Sequence, residues 1–154
     1  MWYLAYASNM HRQQMEERLQ RAGLCSMIGR LDGYRLRFNK KNGMDHSGKA
    51  NIVPDKREVV WGVVFELSKE EVDHLADFEH GYDRKSVDVI CPRYKKQLGV
   101  QTFIADANGM DLLPTSAYLH IIVEGAREHG LPTAYCEWLA NLKTLDAGTT
   151  SQTG

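Results

Sequence analysis

The chain has 154 residues, 43% of them hydrophobic, with 19 Lys and Arg balanced by 20 Asp and Glu. That length suits one domain with a sizeable core, and a formal net charge of -1 gives no long-range attraction toward nucleic acid or an anionic membrane. Three cysteines, Cys25, Cys91 and Cys136, lack C-x-x-C spacing, so neither a disulfide framework nor a zinc site is implied and reduced packing thiols are expected.

In chain order, "WYLAYA" reads as a buried strand. Its apolar run has no basic segment ahead of it and is far shorter than the ~20 residues of a membrane span, so neither a secretion nor an insertion signal is expected, and a cytoplasmic location is. Ser8 or Asn9 then caps a helix that places Met15, Leu19 and Ala22 on one face until Gly23 stops it. Such a strand, turn and helix aim several backbone N–H groups into one small space, where an anion can sit.

"GYRLRFN" alternates Tyr34, Leu36 and Phe38 with Arg35 and Arg37, the period of a half-exposed strand. "KNGMDHSGKA" supplies a turn, "NIV" a second short strand closed by Pro54, and "EVVWGVVFEL" a central strand buried on both faces. Ser68 and Glu71 form a capping box, so a helix with Val72 and Leu75 inward is expected over residues 69–78, with Glu79 at its end.

"KSVDVICP" and "GVQTFIADA" alternate around the turn-like "PRYKKQLG" and predict an antiparallel hairpin. "TSAYLHIIVEGAREHG" predicts a helix with Leu119, Ile122, Val123 and Ala126 inward and Gly130 at its end, and "LPTAYCEWLANL" a further helix. The grouping is that of an α+β domain over residues 1–145, its largely antiparallel sheet curled or closed, followed by a polar, poorly ordered tail over residues 146–154.

Other constellations carry no chemistry. The histidines His11, His46, His74, His80, His120 and His129 show no H-E-x-x-H or paired spacing, so no metal is expected. "FNKKNGMDHSGK" and "RYKKQ" lack interleaved aromatics and read as solvated turns rather than a nucleic-acid stripe. Cys25 sits in the apolar "GLCSMIG" without a companion histidine, which argues against a thiol nucleophile.

Three segments, in order and in register, resemble the γ-glutamylcyclotransferase family: "YLAYASNM" its tyrosine-glycine-serine-asparagine loop, "EVVWGVVFELSKEEVDHLADFEHGY" its strand, short helix and catalytic glutamate, and "PTSAYLHIIVEGAREHGLPTAY" its C-terminal helix pair. The resemblance covers roughly residues 1–143 and implies a small, largely antiparallel mixed β-barrel with flanking helices, the γ-glutamylcyclotransferase-like or AIG2-like fold. It also implies an enzyme that expels a free amine from a γ-glutamyl amide while closing the glutamyl group into 5-oxoproline. On the same footing Glu79 is the catalytic carboxylate. Tyr3, Leu4, Ala5, Tyr6, Ala7, Ser8 and Asn9 lie along the substrate's glutamyl end, their backbone N–H groups receiving its α-carboxylate, and Tyr118 lies near the bound glutamyl group. Gly81 marks a turn, and Ala7 stands where the family usually has glycine, a methyl that narrows the pocket but keeps the N–H donor if its φ is negative.

The chemistry accounts for this short inventory. The substrate's own α-amino group reaches its γ-carbonyl in a five-membered ring, so no serine or cysteine nucleophile and no cofactor is needed, only a folded substrate and a group that moves protons. Glu79, beyond a helix C-terminus near unsatisfied carbonyls and beside Phe78, is expected to have a raised pKa suited to that work. From local sequence alone Asp77 is its rival, Ser8-Asn9 reads first as an ordinary N-cap, and Tyr118 is as readily a core tyrosine as a binding residue. The expected partner is a small γ-glutamyl substrate, without nucleic acid or membrane, and the protein is expected to be a monomer or homodimer. Its leaving amine is either metabolic or a γ-glutamyl-protected natural-product (antibiotic) intermediate; the alternative is a non-catalytic small-acid-binding domain.

Overall fold

The computed structural model describes residues 1–106 and 110–146. Among these, strands β1 (Trp2–Ala5), β2 (Ser26–Lys41), β3 (Gly48–Glu66), β4 (Tyr82–Cys91) and β5 (Lys96–Ala105) close into a barrel in the order β1-β3-β2-β4-β5. The β2–β3 and β4–β5 hairpins are antiparallel, as is β1 on β3, and one parallel contact, Tyr3 opposite Gln101, closes the ring between β1 and β5. This is the largely antiparallel mixed barrel that the resemblance implies. Helices α1 (Arg12–Leu19), α2 (Lys69–Ala76), α3 (Ser116–Glu128) and α4 (Thr133–Ala140) flank it.

Strands and helices both supply the core. Leu4, Leu31, Leu36, Ile52, Val60, Val63, Val64, Phe65 and Val89 are buried together with Met15, Val72, Leu75, Ile122 and Leu139 from the helices. Fully burying a side chain of this size is worth roughly 1.5–3 kcal/mol. Gly62 lets β1 lie close: a Cβ there would be 2.4 Å from the Ala5 carbonyl oxygen. α3 buries Leu119, Ile122, Val123 and Ala126 as its period predicts, and Gly130 (φ +74°) follows its end. Ser68 and Glu71 form both halves of the expected capping box.

Several boundaries differ from the sequence reading. Pro54 does not close a short strand, because β3 runs through it; the β2–β3 register shifts between Asp32/Tyr34, and Pro54 borders that irregularity, where a missing N–H is tolerated. Burial of the following stretch begins at Val60, Val59 being 41% exposed. Neither Ser8 nor Asn9 caps α1. Residues Ser8–Met10 form a 3₁₀ turn, and His11 is the cap, its Nδ1 accepting from Gln14 N–H at 3.3 Å. α1 stops at Leu19, where Gln20 takes the left-handed conformation (φ 52°) three residues before Gly23, so Ala22 is exposed rather than inward. α2 ends at Ala76, two residues early. Cys25 is exposed instead of packed, whereas Cys91 and Cys136 are buried, and all three are free thiols.

Two features open the barrel where the site lies. β1 leaves β3 at Ala5, opposite Val63, so the upstream half of β3 has no β1 neighbour. There the Asn51 side chain replaces a strand: its amide donates to the Ala105 carbonyl at 2.9 Å and accepts from Ala105 N–H at 2.9 Å. At Ala50 two tyrosine hydroxyls do the same work, as described below. The polar tail expected over residues 146–154 lies outside the described residues from 147 onward, as does Ala107 of the predicted hairpin; Asp146 accepts from Ser116 N–H and Oγ at 2.8 Å each. No described helix is long and apolar enough to cross a membrane.

Candidate active site

Glu79 lies in the turn between α2 and β4, three residues past the end of the helix. Its N–H donates to the Ala76 carbonyl at 3.1 Å and its carbonyl accepts from Tyr82 N–H at 3.1 Å, so the backbone on either side of it is fixed. Its side chain reaches a pocket at the open side of β3. Asp77 points elsewhere: its side chain is 78% exposed and faces His74. The pocket therefore separates the two carboxylates that local sequence leaves as rivals.

Around Glu79 the walls come from distant parts of the chain. Tyr3 and Tyr6 enter from β1 and its exit, Ala7, Ser8 and Asn9 from the 3₁₀ turn, and Tyr118 from the first turn of α3. Leu4 and Ala5 are buried in the core and are not among the pocket walls. Ala7 has φ −136°, so its N–H donor is retained without the left-handed conformation that would require glycine. The N–H groups of Ala7, Ser8 and Asn9 meet no acceptor among the described residues, while those of Met10 and His11 close the turn onto Ala7 and Ser8. Gly81 has φ +84° and forms the turn into β4.

Asn9 is 4% exposed and uses its whole amide. Nδ2 donates to the Tyr3 hydroxyl at 2.9 Å and to Glu79 Oε1 at 3.2 Å; Oδ1 accepts from Arg18 Nη1 at 2.6 Å and from Gln14 Nε2 at 3.4 Å. Burial raises the pKa of Glu79, and the nearby Arg18 and Lys49 cations and the Asn9 donor oppose that rise without cancelling it. The cause is desolvation rather than the loose helix-end carbonyls expected from sequence, since Ala76 O is already bonded. Phe78, beside it, is 40% exposed and carries the Arg18 guanidinium 4.6 Å above its ring.

Four tyrosines share this space, and their hydroxyls divide into two kinds. Tyr6 donates to the Phe103 carbonyl and Tyr82 to the Ala50 carbonyl, each at 2.6 Å, so both phenolic protons are committed. Tyr3 accepts from Asn9 and Tyr118 accepts from Ala50 N–H at 3.1 Å, which leaves both of their protons available to a ligand. Burial, with Glu79 nearby, holds all four phenols protonated, Tyr118 being pushed up to about 12. The titratable lining thus offers one carboxylate that can take a proton, two neutral O–H donors, and two cations.

Sequence reasoning missed Arg18, Lys49, Tyr82 and Phe103 as walls of this pocket. Arg18 had a signal: it stands three residues after the buried Met15 and beside Leu19, on the inward stripe of α1, where a solvated arginine does not belong. Tyr82 follows Glu79 by three residues, but nothing local distinguishes it from a strand tyrosine. Lys49 and Phe103 leave no trace in a single sequence. Among the described residues no group of three or more His, Cys, Asp or Glu is arranged to hold a metal ion.

Comparison with known proteins fits this geometry. The AIG2-like family matches residues 59–139, more than half of the chain. The chain belongs to the AIG2-like family. Among curated proteins it is 28% identical to the gamma-glutamylcyclotransferase of Mus musculus over 144 residues, covering 89% of this chain and 76% of that protein. It is 27% identical to the Homo sapiens gamma-glutamylcyclotransferase over 151 residues, with 94% and 79% covered. Among solved structures, a gamma-glutamyl cyclotransferase superposes with a TM-score of 0.84 at 25% identity over 100% of this chain and 99% of its own. An uncharacterized human protein reaches the same TM-score at 28% identity, with 94% and 89% covered. The match to AIG2-like sequences takes in Glu79, Tyr82 and Tyr118 but begins beyond the Tyr3–Asn9 wall.

Proposed function

We propose that this AIG2-like chain cleaves a γ-glutamyl amide by intramolecular cyclisation, releasing 5-oxoproline and a free amine, with Glu79 as the catalytic carboxylate. The observation that carries the reading is a partly desolvated carboxylate, held by Asn9 and facing two tyrosines with free phenolic protons, in a chain whose relatives are gamma-glutamylcyclotransferases. The substrate enters with its α-nitrogen as an ammonium. Glu79 takes a proton from it, and the amine attacks the γ-carbonyl to form the new C–N bond. Tyr3 and Tyr118 donate toward the oxygen that gains charge, and the α-carboxylate lies against the free N–H groups of Ala7, Ser8 and Asn9. Closing the ring strips a second proton from the α-nitrogen. Both protons end on the departing nitrogen, which leaves as an ammonium when the old C–N bond breaks; no water is consumed and net proton uptake is zero.

Two cations, Arg18 and Lys49, against one carboxylate leave the pocket with one excess positive charge, which suits a substrate carrying a carboxylate. The leaving amine is metabolic or a γ-glutamyl-protected natural-product intermediate. A panel of γ-glutamyl amides assayed for 5-oxoproline separates these. Glu79→Gln keeps shape and hydrogen bonding but cannot accept a proton, so turnover should fall by at least ~10²-fold while Asp77→Asn stays near wild type. An N-acetylated γ-glutamyl amide should be inert, and ¹⁸O from labelled water should not enter the product. Glutamate as the first product, or full activity in Glu79→Gln, defeats the mechanism; a fold that binds 5-oxoproline without turning over any amide would instead be a non-catalytic small-acid binder.

A further inference from the structure

We propose that Arg18 is a positioning residue that works through Asn9, locking its amide in the one orientation that donates to both Glu79 and Tyr3. The proposal rests on the reading of Glu79 as the proton-moving carboxylate. A side-chain amide can sit in either of two orientations related by a flip, and here the surroundings choose. A guanidinium has donors only and stays charged, so its 2.6 Å contact demands an acceptor, and that acceptor is Oδ1. Gln14 Nε2 meets the same oxygen at 3.4 Å. Flipping the amide would set its NH₂ against these two donors and turn its oxygen toward the Glu79 carboxylate 3.2 Å away, an arrangement unfavourable at both ends.

The lock has two consequences in the pocket. One Nδ2 hydrogen is held on Glu79 Oε1, so the carboxylate keeps a donor although it is removed from water. The other is held on the Tyr3 oxygen, so the phenol accepts from Asn9 and directs its own proton away from it. Arg18 itself is pinned: its guanidinium lies over the Phe78 ring at 4.6 Å, and Phe78 adjoins Glu79 in the chain. One arginine on α1 thus aligns a proton acceptor from the α2–β4 turn and a proton donor from β1.

The groups that face Glu79 are Arg18 from α1, Lys49 from β3, Tyr3 and Tyr6 from β1 and its exit, Tyr82 from β4 and Tyr118 from α3. Arg18 therefore acts on Glu79 by direct charge as well as through Asn9, and a double-mutant cycle separates the two routes. The experiment titrates the Glu79 side-chain carboxyl by ¹³C NMR, which needs no substrate, in wild type, Arg18→Met, Asn9→Leu and the double variant, each first shown to be folded by thermal melting. Arg18→Met should move the midpoint upward. In the Asn9→Leu background the same change should move it less far, the direct charge remaining and the route through Asn9 being lost, and Arg18→Lys, which keeps both the charge and a donor for Oδ1, should restore part of the wild-type value.

With a γ-glutamyl amide that the wild type turns over, Arg18→Met should lose roughly tenfold or more in kcat, with KM within about threefold and the acidic limb of the pH profile shifted upward. Equal midpoint shifts with and without Asn9 overturn the proposal, as does a raised KM at unchanged kcat, which would make Arg18 a direct substrate contact. If the wild type releases no 5-oxoproline from any amide, the reading of the reaction fails, and the titration cycle still decides whether Arg18 acts through Asn9.

Discussion

Gly125 should be as sensitive a position as any pocket wall, although it touches no substrate. It is buried in α3 where the helix crosses the turn that follows Asn9, and a Cβ at this position would lie 2.6 Å from His11 N, 2.7 Å from Met10 C and 3.0 Å from His11 Cα. All three are backbone atoms and cannot rotate away. Restoring the shortest contact to an ordinary ~3.5 Å requires about 0.9 Å of separation between α3 and the turn. α3 also carries Tyr118, whose hydroxyl is anchored at 3.1 Å on Ala50 N–H, so the same movement pulls on both sides of the pocket at once. Overpacking of this kind costs roughly 1–3 kcal/mol, and a misplacement near 1 Å in a reacting constellation costs about 10²-fold in rate. Gly125→Ala should therefore melt several degrees lower and lose about 10- to 100-fold in 5-oxoproline release, measured at a temperature where it is fully folded. Gly43→Ala, which meets no atom within 4 Å, is the control and should match wild type. A Gly125→Ala variant with wild-type turnover would refute the claim that the α3 contact sets the pocket.

Glu79→Gln should raise the melting temperature near pH 7.5. Burial lifts the folded-state pKa of Glu79 above its unfolded value, so its stabilising contribution is fully present below the unfolded value near ~4.3 and is lost as pH rises through the folded one; the advantage of the amide should fade toward pH 4, and a difference constant with pH would refute this. Asn51→Leu strips Ala105 N–H and C=O and Asn39 Oδ1 of their partners inside the barrel and should cost about 2–5 kcal/mol in urea unfolding, a loss below about 1 kcal/mol contradicting the strand-replacement role. In crystals soaked with 5-oxoproline, its carboxylate should lie about 2.7–3.2 Å from N–H groups of Ala7, Ser8 or Asn9, and density elsewhere would sink the anchor.

The elements that one period describes were legible in the sequence. Leu119, Ile122, Val123 and Ala126 recur at helical spacing and are buried, and the β4–β5 hairpin alternates as its residues do. Pro54 misled because a proline reads locally as a strand end, whereas here it borders an irregularity in β3, residues 55–58 being extra against β2, where a missing N–H is tolerated. Ser8 and Asn9 misled in the opposite sense: cap-type residues were used not to start α1 but to build a turn whose asparagine reaches Glu79, 70 residues away. That pairing depends on barrel closure and has no signature in local composition. Glu79 could be singled out only by resemblance; its burial, the property that makes it useful, comes from Arg18, Lys49 and the tyrosines, which arrive from other elements.

The closure of the ring also orders the assembly of the molecule. β2 with β3 and β4 with β5 are hairpins between neighbours in the chain, cheap to form in loop entropy, whereas β1 must wait for partners made much later: the Leu4 carbonyl accepts from Thr102 Oγ1, 98 residues on. A chain in which the two hairpins stand without β1 lacks the Tyr3, Tyr6 and Ala7–Asn9 walls of the pocket, and with them much of the cover over Glu79. The pocket is therefore complete only when β1 lies docked between β3 and β5, bringing Tyr3, Tyr6 and the following turn against Glu79.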